Sequence, residues 1–157
     1  NLVSNRLKRP NNNILKGDLL KLKKICDNTP YKPSLFNRSN NIAFDSRSIE
    51  IACSGSMYPD HVVFLGTKIV TAESKEEILK IAEANYLIKL PLIIVPNCGI
   101  IIPRDTSFEA EEMVLALSLI IEKIPKDRLI NYLTKKEEAE LINWQEEQYR
   151  MKLNNVK

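Results

Sequence analysis

A chain of 157 residues and 18.0 kDa is the size of one compact domain, long enough to bury roughly two-thirds of the surface its unfolded form exposes. Its 44% hydrophobic and 27% charged residues are ordinary for a globular protein and argue against fibrous, disordered and membrane classes; the longest apolar runs, 91–96 and 113–121, are too short to span a bilayer. The net charge of +3 is uneven, because residues 1–40 hold nine Lys/Arg against Asp18 and Asp27, leaving the remainder net negative.

That basic stretch could suggest nucleic acid, but Lys21, Lys23 and Lys24 share their segment with Leu19, Leu20, Leu22 and Ile25 and no aromatic residue is interleaved. A solvated helix face is the better reading, with no nucleic-acid or membrane partner. The chain begins at Asn1 without an apolar signal region, so a fragment or trimmed chain is expected. NRLKRPNNNILKGD reads as a linker. Asp18 then caps a short amphipathic helix to about Cys26, and DNTPYKPSLFNRSNN, with two prolines and no helical period, reads as an extended surface crossing. DSRSIEIACSG predicts a short helix stopping at Gly55, and HVVFLG a buried strand through Val62, Val63 and Phe64.

Three hydroxyl residues each precede a glutamate by three positions: Ser74 with Glu77, Thr106 with Glu109 and Thr134 with Glu137. This spacing lets side chain and backbone N–H groups satisfy one another reciprocally, so three helices should start there. The first runs to about Leu90 with Ile78, Ile81, Ala82 and Tyr86 on one face. The second, to about Lys123, is apolar almost all round from Met113 to Ile121 and predicts a central helix packed on more than one side. The third runs from Lys135 to about Leu153 and carries Leu141, Ile142, Trp144 and Tyr149. Between the first two, PLIIVPNCGIIIPR predicts a hairpin in which Asn97 and Gly99 supply positive φ. The sum is a mixed α/β fold, a small sheet with packed helices in a three-layer-like arrangement.

Chemistry is sparse in this sequence. There is no glycine-rich dinucleotide fingerprint and no phosphate-loop lysine motif. Cys26, Cys53 and Cys98 are odd in number and lack Cys-x-x-Cys spacing; they read as small buried apolar residues of a reducing cytosol. His61 is the only histidine, and beside Asp60 it is a weak candidate base, with a ring bonded to backbone or to Asp60 as the structural alternative. Arg104 and Ser107, just before a helix start, form a weak candidate site for an anion, in competition with simple capping.

YPDHVVFLG, then NCGIIIPRDTSFEAEEM, then LINWQEEQYR resemble, in that order, the C-terminal region of the class II aldolase/adducin-like sugar aldolases, in the long form similar to the aldolase half of rhamnulose-phosphate aldolase/dehydrogenase fusions. The resemblance covers roughly residues 45–152. It implies a cytoplasmic, homo-oligomeric, metal-dependent carbon–carbon lyase acting on a sugar or sugar phosphate. The catalytic divalent metal, usually zinc, and its histidines would belong to an upstream aldolase domain, a partner in the same protein. In this fragment no cofactor and no metal ligand is expected, and Cys98 stands where the family's turn has a histidine. Residues 1–40 would be a basic linker and opening helix, and 41–157 the C-terminal α/β domain, with a non-catalytic adducin-like interaction or oligomerisation domain as the alternative.

Overall fold

A computed structural model describes residues 17–154. Nearly all of the linker expected over residues 5–18 therefore lies outside the described residues. In chain order the elements are α1 (Leu19–Cys26), β1 (Tyr31–Pro33), a 3₁₀ segment (Asn37–Phe44), α2 (Ser46–Ser54), a π turn (His61–Leu65), β2 (Ile69–Thr71), α3 (Lys75–Asn85), β3 (Leu92–Val95), β4 (Gly99–Pro103), α4 (Phe108–Lys123) and α5 (Lys135–Asn154).

The four strands form one mixed sheet in the order β1-β4-β3-β2, with β2 parallel to β3 and the other pairs antiparallel. Side chains alternate across a strand, so the unbroken apolar runs of β3 and β4 serve two cores at once. Leu92, Ile94, Ile100 and Ile102 face the 3₁₀ segment, α2 and α4. Ile93, Val95 and Ile101 face α1 and α3. Helices thus cover both faces of a small sheet, which is the mixed α/β architecture read from the sequence.

The β3–β4 hairpin turns as expected, with Asn97 at φ 56° and Gly99 at φ 154°. A Cβ on Gly99 would lie 2.6 Å from Asn40 Oδ1, so the position needs glycine for space as well as for φ. That close approach has a purpose: Asn40 Oδ1 accepts from Ile100 N at 2.8 Å, and Asn97 N donates to Ala43 O at 2.8 Å, clasping the turn to the 3₁₀ segment.

Helix starts were legible and interiors less so. Asp18, Asp45 and Ser74 each accept from the N–H three residues on, and Thr134 and Glu137 cap each other through Oγ1 and Oε2. For α4 the cap is Ser107, accepting from Ala110 N, while Thr106 Oγ1 donates to Pro103 O. α3 stops at Asn85, short of Leu90, and Tyr86 is exposed. α4 buries one side, through Ala110, Glu111, Val114, Leu117, Ser118 and Ile121, rather than its whole circumference, and Ile120 faces solvent.

Two expectations are corrected outright. The segment after α1 is no surface crossing: Tyr31 is fully buried, β1 pairs with β4, and Ser39 and Asn40 are buried. Leu22, Cys26 and Tyr31 share a core with Ile93 and Ile101, so α1 and β1 are built into the same body as the rest. Nor is HVVFL a strand. Asp60 has helical φ and ψ, His61 N donates to Tyr58 O at 3.1 Å and Gly66 N to Val62 O at 3.0 Å, winding the segment into a turn that buries His61, Val62 and Leu65. A run of branched residues too short to show a period fits either state, and the Pro59-Asp60 turn decides for winding.

Candidate functional site

The four residues singled out in the sequence do not meet in one site. His61 sits inside, 1% exposed, with its ring edge-on to Tyr58 at 5.6 Å between centroids. Its Nδ1 has no hydrogen-bond partner, so neither backbone nor Asp60 holds that edge of the ring. Burial depresses its pKa to about 4, against a smaller opposing pull from Glu138, and the imidazole is neutral near pH 7. Asp60 is exposed beside it. A neutral, enclosed imidazole is a poor general base for a substrate in solution.

Arg104 is committed elsewhere. Its Nε donates to Thr29 O at 2.9 Å and its terminal N–H to Cys26 O at 3.0 Å, closing the C-terminal end of α1. The planar fork spans two carbonyls at once, sharing Cys26 O with the hydroxyl of Thr29, which donates to it at 2.8 Å. Ser107 is the cap of α4. Capping thus accounts for both residues. Of the cysteines, Cys26 and Cys98 are buried as expected, whereas Cys53 is exposed.

The surface offers a different place. A groove of about 1070 Å³ runs between the π turn, the loop after α3 and α5. Its floor and walls are apolar at Val62, Leu65, Pro91, Ile88 and Ile142, and Trp144, the only tryptophan of the chain, stands on the α5 wall. Polar groups punctuate it: Thr67, Asn85, Gln145 and Gln148, with Lys68 and Lys89 on one side and Glu146 on the other. Few polar groups set in an apolar concavity is the usual makeup of a small-molecule site. A second hollow of about 540 Å³, lined by Asp105, Thr106 and Ser107, shares Val63, Ile88, Lys89 and Gln145 with the first.

Lys89 stands where the two meet. Its ammonium donates to Phe64 O at 2.7 Å and to Val63 O at 3.3 Å, so it finishes the π turn, and its stem crosses Gly66. Desolvation lowers its pKa and Asp105 opposes the shift. The amine is held in place by the backbone it caps, at a position that lines both hollows. Gln145 Nε2 also donates to Val63 O, at 3.3 Å, tying α5 to the same turn. Asn85 Nδ2 donates to Ile81 O at 2.7 Å.

Beneath α5 lies a buried polar cluster. Glu138, 3% exposed, accepts from Ser56 Oγ at 2.8 Å and from Lys135 Nζ at 2.8 Å. Burial raises its pKa, and the bonds from Lys135 and Ser56 outweigh that, leaving it below the usual carboxylate range. Tyr58 Oη, like His61 Nδ1, is buried there without a partner.

Comparison with family models, curated proteins and solved structures found no match.

The resemblance to aldolases implies zinc, and the side chains answer for themselves on that point. Among the described residues no group of three His, Cys, Asp or Glu is placed to hold a metal ion. His61 has one carboxylate acting on it, Glu138, and both oxygens of that group are engaged. These residues do not fit a zinc site, and no step of a reaction is assigned to a metal on them.

Sequence reasoning missed Lys89, Glu138 and Trp144. Glu138 follows Glu137 in one acidic first turn, and nothing local tells the capping carboxylate from the buried one. Trp144 carries a signal, since a lone tryptophan on a charged helix is unusual, but packing explains that signal equally well.

Proposed function

We propose that this chain is the C-terminal domain of a class II aldolase-like carbon–carbon lyase acting on a sugar or sugar phosphate, and that its own part is to seat the substrate. In this reading the metal and its histidines belong to an upstream domain of the same cytoplasmic protein, and the copies assemble as a homo-oligomer. No helix among the described residues is long and apolar enough to cross a membrane.

The observation that carries the reading is the lining of the groove. A sugar ring offers apolar C–H faces and a rim of hydroxyls. Trp144 and Tyr149 offer flat apolar surface for the first, and Thr67, Gln145 and Gln148 offer donors and acceptors for the second. Lys68 and Lys89 on one wall outnumber Glu146 on the other, which favours an anionic substituent such as a phosphate on that side. The second hollow, where Asp105 offsets Lys89, has no such bias. The three motifs that resemble the aldolase family, in that order, support the same reading.

Trp144 makes the test direct. Its emission should change saturably when the chain is titrated with a ketose phosphate, less with the unphosphorylated sugar, and not in the Trp144→Phe variant. Absence of any saturable change up to ~10 mM, ten times the upper end of common KM values, would overturn the assignment.

One observation favours the alternative, an interaction or oligomerisation domain. Tyr86, Leu87 and Ile88 are consecutive and 72%, 81% and 73% exposed, Leu87 and Ile88 at the same groove and Tyr86 at the second hollow. An apolar run left in water marks a contact surface. Self-association that grows with concentration and is lost in Leu87→Asp, together with a flat sugar titration, would select this reading.

A further inference from the structure

We propose that the groove face is a two-fold seam between two copies of this chain, on which the wall built by α5 of one copy meets the wall built by the loop after α3 of its partner. The proposal rests on the homo-oligomer of the reading above and names the surface that makes it.

Among the described residues thirteen large apolar side chains are exposed, and six of them gather here: Tyr86, Leu87 and Ile88 on the loop after α3, and Ile142, Trp144 and Tyr149 on α5. The other seven are spread over α1, α3, α4 and two connecting segments. Scattered apolar side chains are ordinary on a surface, and a gathered set is not. Weighted by their exposure, the six present on the order of 800 Å² to water, against roughly 300–600 Å² for the largest apolar patch of a typical monomer. About 800 Å² is also what each partner contributes to an interface of standard size. Tyrosine and tryptophan are the residues that most often carry the binding energy at the centre of such an interface.

The makeup of the face selects a second copy as the partner. A two-fold axis lying along the groove brings each wall onto the opposite wall of the other copy. The two walls differ in the way that contact requires. The loop wall presents the aliphatic Leu87 and Ile88, and α5 presents the flat rings of Trp144 and Tyr149. Lys68 and Lys89 come from the body and Glu146 from α5, so fields of opposite sign face each other at the edges. Symmetry makes the same contact twice and closes the assembly at two copies. Both walls are already anchored to one turn, the loop wall through Lys89 to Val63 O and Phe64 O and α5 through Gln145 to Val63 O. A face ordered in advance loses little freedom on docking.

Sedimentation of the full chain tests the seam without any ligand. A monomer–dimer equilibrium should appear with a dissociation constant at the micromolar level or below, and the emission of Trp144 should move to shorter wavelength over the same concentrations as its ring leaves water. Leu87→Asp and Trp144→Asp should each weaken association by roughly thirtyfold or more, the effect of removing an interface hot spot, with far-UV circular dichroism unchanged. Leu129→Asp, at an almost fully exposed residue off the groove, should leave association as it was. Leu87→Asp chains mixed with Trp144→Lys chains should associate more tightly than either variant alone, because both changes then fall on one side of the axis and face each other. A chain still monomeric at ~100 µM, far above the micromolar limit for interfaces of this size, overturns the seam, as do an equal loss in Leu129→Asp and a mixture no tighter than its components. A dimer indifferent to both aspartate variants, or one with unmoved Trp144 emission, would strike the seam and leave the homo-oligomer standing. A dimer lost in Leu87→Asp beside a flat sugar titration would strike the ligand reading alone, and saturable sugar binding by a chain that stays monomeric would strike the seam alone.

Discussion

At the scale of single residues, the buried polar side chains set the conditions under which the fold is stable. His61 is the clearest case, because its folded pKa of about 4 lies below the ordinary 6.5. The unfolded chain takes up the proton first, so this group's contribution is intact above pH 6.5 and is lost progressively as pH falls from 6.5 to 4, up to about 3 kcal/mol. Urea unfolding of the wild type should show about 2 kcal/mol less stability at pH 5 than at pH 7 from this source, and His61→Leu should lose that part of the difference; equal pH dependence in the two proteins would contradict it. Buried Glu111 joins segments instead, its carboxylate taking Leu35 N at 2.9 Å and Lys32 Nζ at 3.3 Å. Neither role was legible from sequence. Partners such as Leu35 for Glu111, or Cys26 and Thr29 for Arg104, lie more than seventy positions away, and local pattern carries no information about them. The α4 cap was read one residue early, at Thr106, because a hydroxyl pair offers two candidates and the structure uses Ser107, which accepts from Ala110 N, while Thr106 donates to Pro103 O.

Elements repeat that lesson on a larger scale: ends follow from local chemistry, whereas the faces that pack follow from the whole. The Thr134–Glu137 box stands in the structure as read, and Thr134→Ala should cost about 1 kcal/mol, seen chiefly as faster exchange at the start of α5. No change there would mean the box is ornamental. The π turn shows the opposite side, since HVVF carries strand-forming residues and the winding is completed by Lys89, more than twenty positions on, capping Val63 and Phe64. α4 lies between these cases. Its apolar run predicted deep burial, and Leu117 is indeed fully enclosed among Ile94, Ile102 and Val114, although the opposite side of the helix is open. Leu117→Ala should cost about 2–5 kcal/mol through lost transfer energy and the cavity left behind; an unchanged denaturation midpoint would show the site to be exposed. Ile120→Ala on the open side should cost under about 0.5 kcal/mol, which separates the two faces of one helix.

For the whole molecule, the decisive feature is that one thin sheet divides two cores. The runs LIIV and GIII were legible as the strands of a hairpin, and the structure explains why they do not alternate polar with apolar: both are buried on both sides. The cover on the second side was not legible: α1 and β1 reach their places through pairing of Tyr31 with Pro103 and of Pro33 with Ile101, a register no local rule specifies. Adjacent residues of β3 offer a test of the layering. Ile93 belongs to the core under α1 and α3, and Ile94 to the core under α2 and α4, and both are fully buried. If both layers fold as one cooperative unit, Ile93→Ala and Ile94→Ala should each cost about 2–5 kcal/mol with an unchanged dependence on denaturant. Because their side chains enter separate cores, they also share few neighbours, so the double variant should lose close to the sum of the two. A negligible cost for Ile93→Ala would mean that the α1 and α3 layer is not closed over the sheet, and a shallower denaturant dependence in that variant alone would mean that this layer comes away first.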